Sequence, residues 1–299
     1  MSKESRETRS LNRKGEPRRE RREVDRLFVA YKPPFVSSNS YLGHLKWRYG
    51  AKSGGFSGTL DPFASGVMVV AFGRFTRLFR FLNKAPKTYR AVLYLGAQSP
   101  TLDLEGITKV SAVPPVSEAV LLSVLTGLQG DRLQTPPAYS AKRVQGRRAY
   151  DLAREGETVA LAPVPVTIHD LKLLNCRHPF VTFEATVSEG TYIRVLGEEI
   201  ALALGCDGAL VTLERLREGE FIFDGERALD PLAHLRIPEN RFLGPERMLT
   251  LGQKLPADSF EKQEEGAYIV AYQENFSIIE IQEGRVNYLL NNQSRRGRA

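Results

Sequence analysis

The sequence predicts an α+β fold, and three observations carry that prediction. Runs with strand character recur at Leu27–Tyr31, Val67–Phe72, Tyr89–Leu95, Val164–Leu174 and Phe180–Val187. Helical patterns with recognisable ends interrupt them irregularly, near 38–49, 117–128 and 193–204. A last group of short strands, at 266–272, 276–281 and 286–290, stands apart as a small β module. The length, 299 residues, fits one large domain plus something small, or two domains. An apolar fraction of 42% allows a sizeable core.

The formal net charge is +7, and its location matters more than its size. Residues 1–26 hold 10 bases and 6 acids, residues 291–299 hold three arginines and no acid, and the remainder balances 29 against 29. The first 26 residues are nearly free of apolar side chains and are expected to be disordered. As a polycation this tail either contacts RNA phosphates or is simply solvated. Residues 291–299 form a second basic tail. Cys176 and Cys206 lie far apart in no CxxC pattern, so no disulfide framework is implied, which fits a reducing cytoplasm. His44, His169, His178 and His234 lack ligand spacing, so no metal site is expected. No apolar run approaches membrane-spanning length, and the charged N-terminus is not a secretory signal.

Taken in order, the first strand is stopped by Lys32-Pro33-Pro34. Ser37 or Ser38 then caps a helix through about Tyr49, with Tyr41, Leu42, Leu45 and Tyr49 on its apolar face and Gly50 at its end. Lys46 and Arg48 lie off that face. Next comes Gly58-Thr59-Leu60-Asp61-Pro62-Phe63-Ala64-Ser65-Gly66. The residue before a proline is pushed out of the α region, and glycines at 58 and 66 let the chain turn on both sides. Small Ala64 and Ser65 leave space beside the acid, and the strand from Val67 follows at once. Asp61 is thus expected on a loop feeding the core sheet, facing a cleft. Alone, such a turn reads first as an acid bonded to its own backbone; later segments change that reading.

Leu78, Phe79 and Leu82 suggest a short helix. Lys87-Thr88-Tyr89 opens a strand with Tyr89, Ala91, Leu93 and Leu95 on one face. Tyr89 is either core with a paired hydroxyl or a lining residue of the cleft. Ser117 caps a helix carrying Leu121, Leu122, Leu125 and Leu128. Residues 130–160 then change character. Lys142, Arg143, Arg147 and Arg148 crowd into seven residues beside Tyr139, behind prolines, as an insertion suited to a polyanion. After the strand ending at Val187, Ile193, Leu196, Ile200 and Leu204 mark the buried face of a helix that ends at Gly205. Arg194 sits in its first turn, where the helix dipole does not favour a cation, and a carboxylate partner supplies a reason.

Three segments in this order resemble the tRNA pseudouridine synthase B family, whose members isomerise uridine 55 in the T-loop of tRNA. They are Gly58-Thr59-Leu60-Asp61-Pro62 with Ser65-Gly66, Lys87-Thr88-Tyr89 with Leu95-Gly96, and Gly190-Thr191-Tyr192-Ile193-Arg194. Lys32-Pro33 with Ser37-Ser38, and Gln134 to Gly146, are supporting matches, and the similarity runs from about Phe28 to Glu220. The resemblance implies the pseudouridine synthase fold over 27–240: a mixed, mostly antiparallel central sheet flanked by helices, with a thumb at about 130–160. It implies a shortened PUA-like RNA-binding module at 241–290. It implies Asp61 as the catalytic aspartate, Arg194 as its partner, and Tyr89 as the base-stacking tyrosine and candidate proton acceptor at C5. Tyr192 packs beneath the pair, Leu213 helps close the pocket, and Lys142, Arg143, Arg147 and Arg148 meet the RNA from the thumb. Lys32-Pro33 is a structural motif. Phe56 departs from the pattern, standing where the family usually has a histidine that helps hold the flipped-out RNA. Tyr31 and Phe35 stand where Asp and Gly are common.

The chemistry so implied breaks the N1–C1′ bond and joins C1′ to C5 of the same base, so it is redox-neutral and needs no cofactor. The aspartate attacks C1′ or C6, or removes a ribose proton; the sequence leaves all three open. Arg194 is expected to hold Asp61 ionised, since an opposite charge within about 4–6 Å lowers a carboxyl pKa by roughly 1–3 units. Extruding the target base costs a few kcal/mol, which the thumb cations and Phe56 offset. The expected partner is the tRNA T-loop and stem, met in the cytoplasm by a monomer without metal or membrane. Three other readings compete. A synthase could act on another RNA site. A non-catalytic RNA-binding or RNA-folding protein would not need the acid–arginine–tyrosine set. A glycoside or nucleoside hydrolase would need a second carboxylate, for which these motifs offer only Glu189.

Overall fold

A computed structural model describes residues 22–140, 142–144, 147, 148, 152, 155 and 161–296. The chain opens with β1 (Arg26–Lys32), α1 (Ser38–Arg48), β2 (Gly54–Phe56), β3 (Ser65–Phe72) and, after a 3₁₀ segment at Gly73–Phe81, β4 (Lys87–Leu95). A small ribbon of β5 (Ala97–Gln98) and β6 (Lys109–Val110) leads to α2 (Glu118–Gly127) and β7 (Gly130–Gln134). Two-residue strands β8 (Arg143–Val144) and β9 (Arg147–Arg148) pair with each other. Then come β10 (Val164–Arg177), β11 (Phe180–Val187), α3 (Ile193–Ala203) and β12 (Gly208–Glu218). A short α4 (Glu246–Thr250) precedes β13 (Gly266–Tyr272), β14 (Asn275–Gln282) and β15 (Arg285–Ser294).

Eight strands form the central sheet in the order β1-β3-β12-β4-β11-β10-β7, with β2 also paired to β3. Every pairing is antiparallel except β3 with β12, which run parallel through Ser65–Glu214 and Gly66–Arg215. The expected mixed, mostly antiparallel α+β sheet is therefore present. The parallel seam matters for function. The Gly58–Gly66 turn empties into β3 there, so Asp61 is delivered beside β12 and β4. Residues 208–218 show no clean strand pattern in the sequence, yet β12 is the strand that joins the two halves of the sheet.

Local chemistry explains the elements. Ser37 caps α1, its hydroxyl accepting from the Ser40 amide at 3.1 Å, and Leu42 and Leu45 are buried beneath the helix. Ser117 caps α2; Leu121 and Leu125 face the core, while Leu122 points to solvent. Tyr89, Ala91, Leu93 and Leu95 of β4 all enter the main cluster, together with Ile193, Leu196 and Ile200 of α3.

Three boundaries differ from the sequence reading. Residues 22–26 of the tail expected to be disordered are ordered. Residues 1–21 lie outside the described residues, but the Arg22 amide donates to Gly50 O at 2.8 Å and the buried Asp25 carboxylate accepts from the Arg74 amide at 2.7 Å. The 130–160 insertion starts later, because Gly130–Gln134 is an edge strand of the central sheet on β10. The strand β15 continues through residues 291–294 of the expected tail, and Arg295 and Arg296 pair with Asp230 and Glu274.

The C-terminal β module is not a separate body either. A three-stranded sheet with two apolar faces cannot bury both by itself. Ile269, Phe276, Ile278 and Leu290 share one cluster with Leu27, Val29, Val67 and Val69 of β1 and β3. The other face, with Tyr268, Val270, Ile279 and Ile281, is covered by Leu249, Leu255 and Phe260.

Candidate active site

The turn that carries Asp61 is forced into shape by its two glycines. Gly58 has φ 60°, and a Cβ there would lie 2.9 Å from each of the Arg215 guanidinium, the Glu218 carboxylate and the Lys87 ammonium. Gly66 has φ 114°, and a Cβ would lie 2.2 Å from Arg215 O across the parallel seam. At Gly66 another residue would have to displace the β12 backbone, and at Gly58 it would strain the turn and push aside three buried charged side-chain ends. Between them Ser38 grips the turn, its hydroxyl donating to Leu60 O at 2.9 Å and accepting from the Leu60 amide at 3.0 Å. Lys32, fully buried, donates to the carbonyls of Pro33, Val36 and Pro62 at 2.8, 2.7 and 3.2 Å. Burial pushes its ammonium down to about 8, against the pull of Asp61.

Asp61 meets Arg194 from the first turn of α3. Arg194 Nη2 donates to Oδ1 at 3.2 Å, and Nε lies 2.9 Å from Oδ2, close but poorly aligned for a hydrogen bond. The arginine is 4% exposed, whereas the aspartate side chain keeps 34% of its surface open. Arg194 is held from three further directions. Its guanidinium donates to Thr101 O at 2.6 Å and to Tyr139 O at 2.8 Å, and reaches Asp103 Oδ2 at 3.4 Å. Asp103 is itself fixed, accepting from Thr101 Oγ1 at 2.6 Å and the Glu105 amide at 3.1 Å. Sequence reasoning missed Asp103. A buried acid capping a short 3₁₀ turn carries no pattern beyond an ordinary turn residue.

The electrostatics correct one expectation. Burial pushes the Asp61 carboxyl above the usual aspartate range; Arg194 opposes this, and the like charge of Asp103 reinforces it. The ion pair alone predicts the opposite direction. Desolvation outweighs the attraction of Arg194.

Asp61 and Arg194 stand in the wall between two cavities. One, of about 310 Å³, is lined by Tyr89, Leu213, Tyr192 and Lys87 with the Gly58–Asp61 turn. The other, of about 410 Å³, is lined by Ser37, Ser38, Asn39, Asp103, Glu105 and Tyr139. Tyr89 and Leu213 are buried, so the first cavity has an aromatic and apolar wall opposite the acid. Tyr192 is placed through its backbone, its amide donating to Gln134 Oε1 at 2.7 Å and its carbonyl accepting from Gln134 Nε2 at 3.3 Å. The structure thus gathers Asp61, Tyr89, Arg194, Tyr192 and Leu213 around one space.

Phe56, Lys142 and Arg147 are not brought there. Phe56 packs half-buried against the cluster under α1 and lines neither cavity. Lys142 is half-buried and Arg147 contacts Glu155 at 2.5 Å, and neither lines the two cavities; Arg143 and Arg148 face each other in the backbone register of β8 and β9. The side chains of Arg143 and Arg148 lie outside the described residues. Among the described residues no group of three or more potential ligands could hold a metal ion, and no helix is long and apolar enough to cross a membrane.

Known proteins share both the sequence and the fold. Residues 46–193 match the TruB family pseudouridylate synthase N-terminal domain. The tRNA pseudouridine synthase B of Sulfurovum sp. (strain NBC37-1) is 49% identical over 268 residues, which is 90% of this chain and 97% of that protein. Its counterpart in a Nitratiruptor species is 48% identical over 90% of this chain and 98% of its own. Among solved structures, a Cbf5-Nop10-Gar1 complex aligns over 97% of this chain and 90% of its own with a TM-score of 0.60 at 19% identity, a likeness of fold. The chain belongs to the TruB family of pseudouridylate synthases.

Proposed function

We propose that this protein isomerises uridine 55 in the T-loop of tRNA to pseudouridine, with Asp61 as the group that acts on the target nucleoside. The observation that carries the reading is the Asp61–Arg194 pair, one third open on the acid's side and buried on the arginine's, facing a cavity walled by Tyr89 and Leu213. The relatives are named for pseudouridine formation in tRNA.

The reaction asks little beyond this set. The N1–C1′ bond breaks, the detached uracil turns, C5 bonds to C1′, and the C5 proton is lost as N1 gains one. No electrons enter or leave, so no redox cofactor takes part. A carboxylate at Asp61 can attack C1′ or C6, or take a ribose proton. Arg194 fixes its orientation. Tyr89 supplies the face on which the uracil stacks and a hydroxyl to accept the C5 proton. Dry walls at Leu213 and Tyr89 strengthen each charge interaction within. The partner is tRNA, drawn in by Lys142, Arg143, Arg147 and Arg148, and the protein works as a monomer in the cytoplasm.

The test is direct. Purified protein is incubated with an unmodified tRNA transcript, and pseudouridine is mapped by carbodiimide adducts. A stop at position 55 is expected. A stop elsewhere moves the substrate, and no stop with intact binding removes the catalytic reading.

A further inference from the structure

The cavity walled by Tyr89 and Leu213 carries a cation that the Asp61–Arg194 pair does not use. Lys87 lines it together with Asp61. It opens β4 two residues before Tyr89, and side chains two apart on a strand share a face. Lys87 and Tyr89 therefore enter one cavity a single pleat apart. Among the described residues three cations border this space, and two are firmly engaged. Arg194 holds Asp61, Asp103 and two carbonyls. Arg215 donates to the carbonyls of Val67 and Gly58. The Lys87 side chain is 8% exposed, yet its ammonium meets Glu218 at 3.4 Å and Glu189 at 3.6 Å, both long beside an ordinary hydrogen bond of about 2.7–3.2 Å. Glu218 is shared with Arg215, so two cations around one buried acid leave a positive charge over. The acid that faces this excess is Glu189, 60% exposed on the loop after β11. So open a partner, at that distance, yields to a better one.

The reaction makes a better one. Attack of Asp61 on C1′ sends the N1–C1′ electron pair onto the uracil. Attack on C6 sends the C5–C6 π pair to O4. Loss of a ribose proton to Asp61 expels the same uracil anion. By every route the carboxylate gives up its negative charge and the base acquires it. C5 then bonds to C1′, Asp61 recovers its charge, and the C5 proton is lost as N1 gains one. A fixed buried cation beside the base favours the charged form over neutral uridine and needs no proton transfer of its own.

We propose that Lys87 is a catalytic cation, its ammonium donating to a carbonyl of the uracil while that base carries the negative charge. This rests on the isomerase reading above. The test compares Lys87→Met, Glu218→Gln and the double variant in single turnover on an unmodified tRNA transcript. Lys87→Met slows the rate at saturating RNA by roughly 10²–10³-fold, the usual effect of removing one donor to a developing anion. Its tRNA affinity stays within about twofold of the parent, because the charge arises only after the RNA is bound. Its melting temperature falls, since Glu218 keeps a single cation. Glu218→Gln lifts that burden, so the double variant melts with Glu218→Gln but remains as slow as Lys87→Met. Glu218→Gln alone turns over within about twofold of the parent. A loss of less than about tenfold in Lys87→Met, or a double variant that regains its rate along with its stability, overturns the proposal. So does an affinity loss as large as the rate loss. An equal loss in Glu218→Gln overturns it too, because the lysine would then act through the buried acid. A parent that makes no pseudouridine defeats the isomerase reading itself, whereas an active parent with an active Lys87→Met defeats the role of Lys87 alone.

Discussion

Two buried arginines flank the same nine-residue turn, and the acids they hold differ in exposure. Arg215, 1% exposed, donates to the carbonyls of Gly58 at 2.8 Å and Val67 at 2.7 Å, and lies 3.4 Å from Glu218. That glutamate is fully buried, accepts from Ser57 Oγ at 2.7 Å and is 3.4 Å from Lys87 Nζ. Each charged group here is less than a tenth exposed, although Lys87 and Arg215 also border the cavity walled by Tyr89. Arg194 is equally buried, but its acid, Asp61, is one third open to a cavity. A pair buried on both sides serves first to fix the backbone it donates to. An ion pair with one exposed member can exchange its partner for a reacting group. On the function proposed above, solvent access to the acid is what sets the Asp61 pair apart from its neighbour.

The sharpest way to break this comparison is to neutralise the open acid. Asp61→Asn is expected to abolish pseudouridine formation and to leave tRNA affinity unchanged. The asparagine preserves shape and lies outside the thumb. Residual isomerisation above a contamination control would show that the carboxylate is not the acting group.

Next come the two arginines. Arg215→Met leaves Glu218 buried with only Lys87 opposite it. Removing one member of a buried pair costs about 3–5 kcal/mol, so the melting temperature should fall steeply. Arg194→Met leaves Asp61, which water can reach, and Asp103, which is buried but keeps the Thr101 hydroxyl and the Glu105 amide. It should lower the melting temperature less, while the single-turnover rate drops by orders of magnitude. If both variants lose stability alike and the survivor of Arg194→Met turns over normally, the division between scaffold and chemistry disappears.

The pH dependence sharpens the same point. Burial raises the Asp61 carboxyl, so the native state holds that proton more tightly than the unfolded chain does. Its contribution to stability therefore declines as pH rises from the unfolded value of about 3.9 through the folded one. On the proposed mechanism activity needs the carboxylate and runs the other way, rising through the folded pKa. The acid limb of single-turnover kinetics should accordingly sit above the ordinary aspartate range. Asp103→Asn removes a like charge that helps raise Asp61, and should shift that limb to lower pH. An unmoved limb would detach Asp103 from the acid.

Much of this was readable in the chain, and the reasons it was or was not are physical. The turn announced itself because glycine, proline and small residues have few other uses in that order. β4 was visible because its inward residues alternate. The long β12 was not, because GALVTLERLRE alternates imperfectly and carries Glu214, Arg215 and Glu218, charges that a periodicity argument assigns to solvent. Arg194 was found because a cation in the first turn of a helix needs an explanation. Asp103 needs none locally; its reason lies across the fold. The extent of the C-terminal module was misjudged for a related cause. Strand patterns show that two faces are apolar, but not which neighbour covers them.

The thumb extends the comparison to a cationic group that is open rather than sealed. Replacing Lys142, Arg143, Arg147 and Arg148 by alanine should weaken tRNA binding and flatten its salt dependence, each lost phosphate contact lowering the log–log slope by roughly 0.7–0.9. Arg147 should contribute least, since it already faces Glu155. A salt slope equal to the parent's would place the RNA elsewhere.

The smallest effect is expected at Phe56. Its ring is half-buried on β2 against the cluster under α1 and borders neither cavity. Histidine occupies less volume and keeps a planar ring, so Phe56→His loses some apolar contact and adds a polar edge without touching the Asp61–Arg194 pair. Substitutions away from a packed or paired group stay within about 0.5 kcal/mol, which corresponds to a change in kcat/KM of roughly twofold. A tenfold loss, with the melting temperature unchanged, would instead put this ring in the path of the RNA. The cavity walls would then extend past Ser57 when substrate is bound, and the line between the sealed and the open sides of the turn would have to be redrawn there.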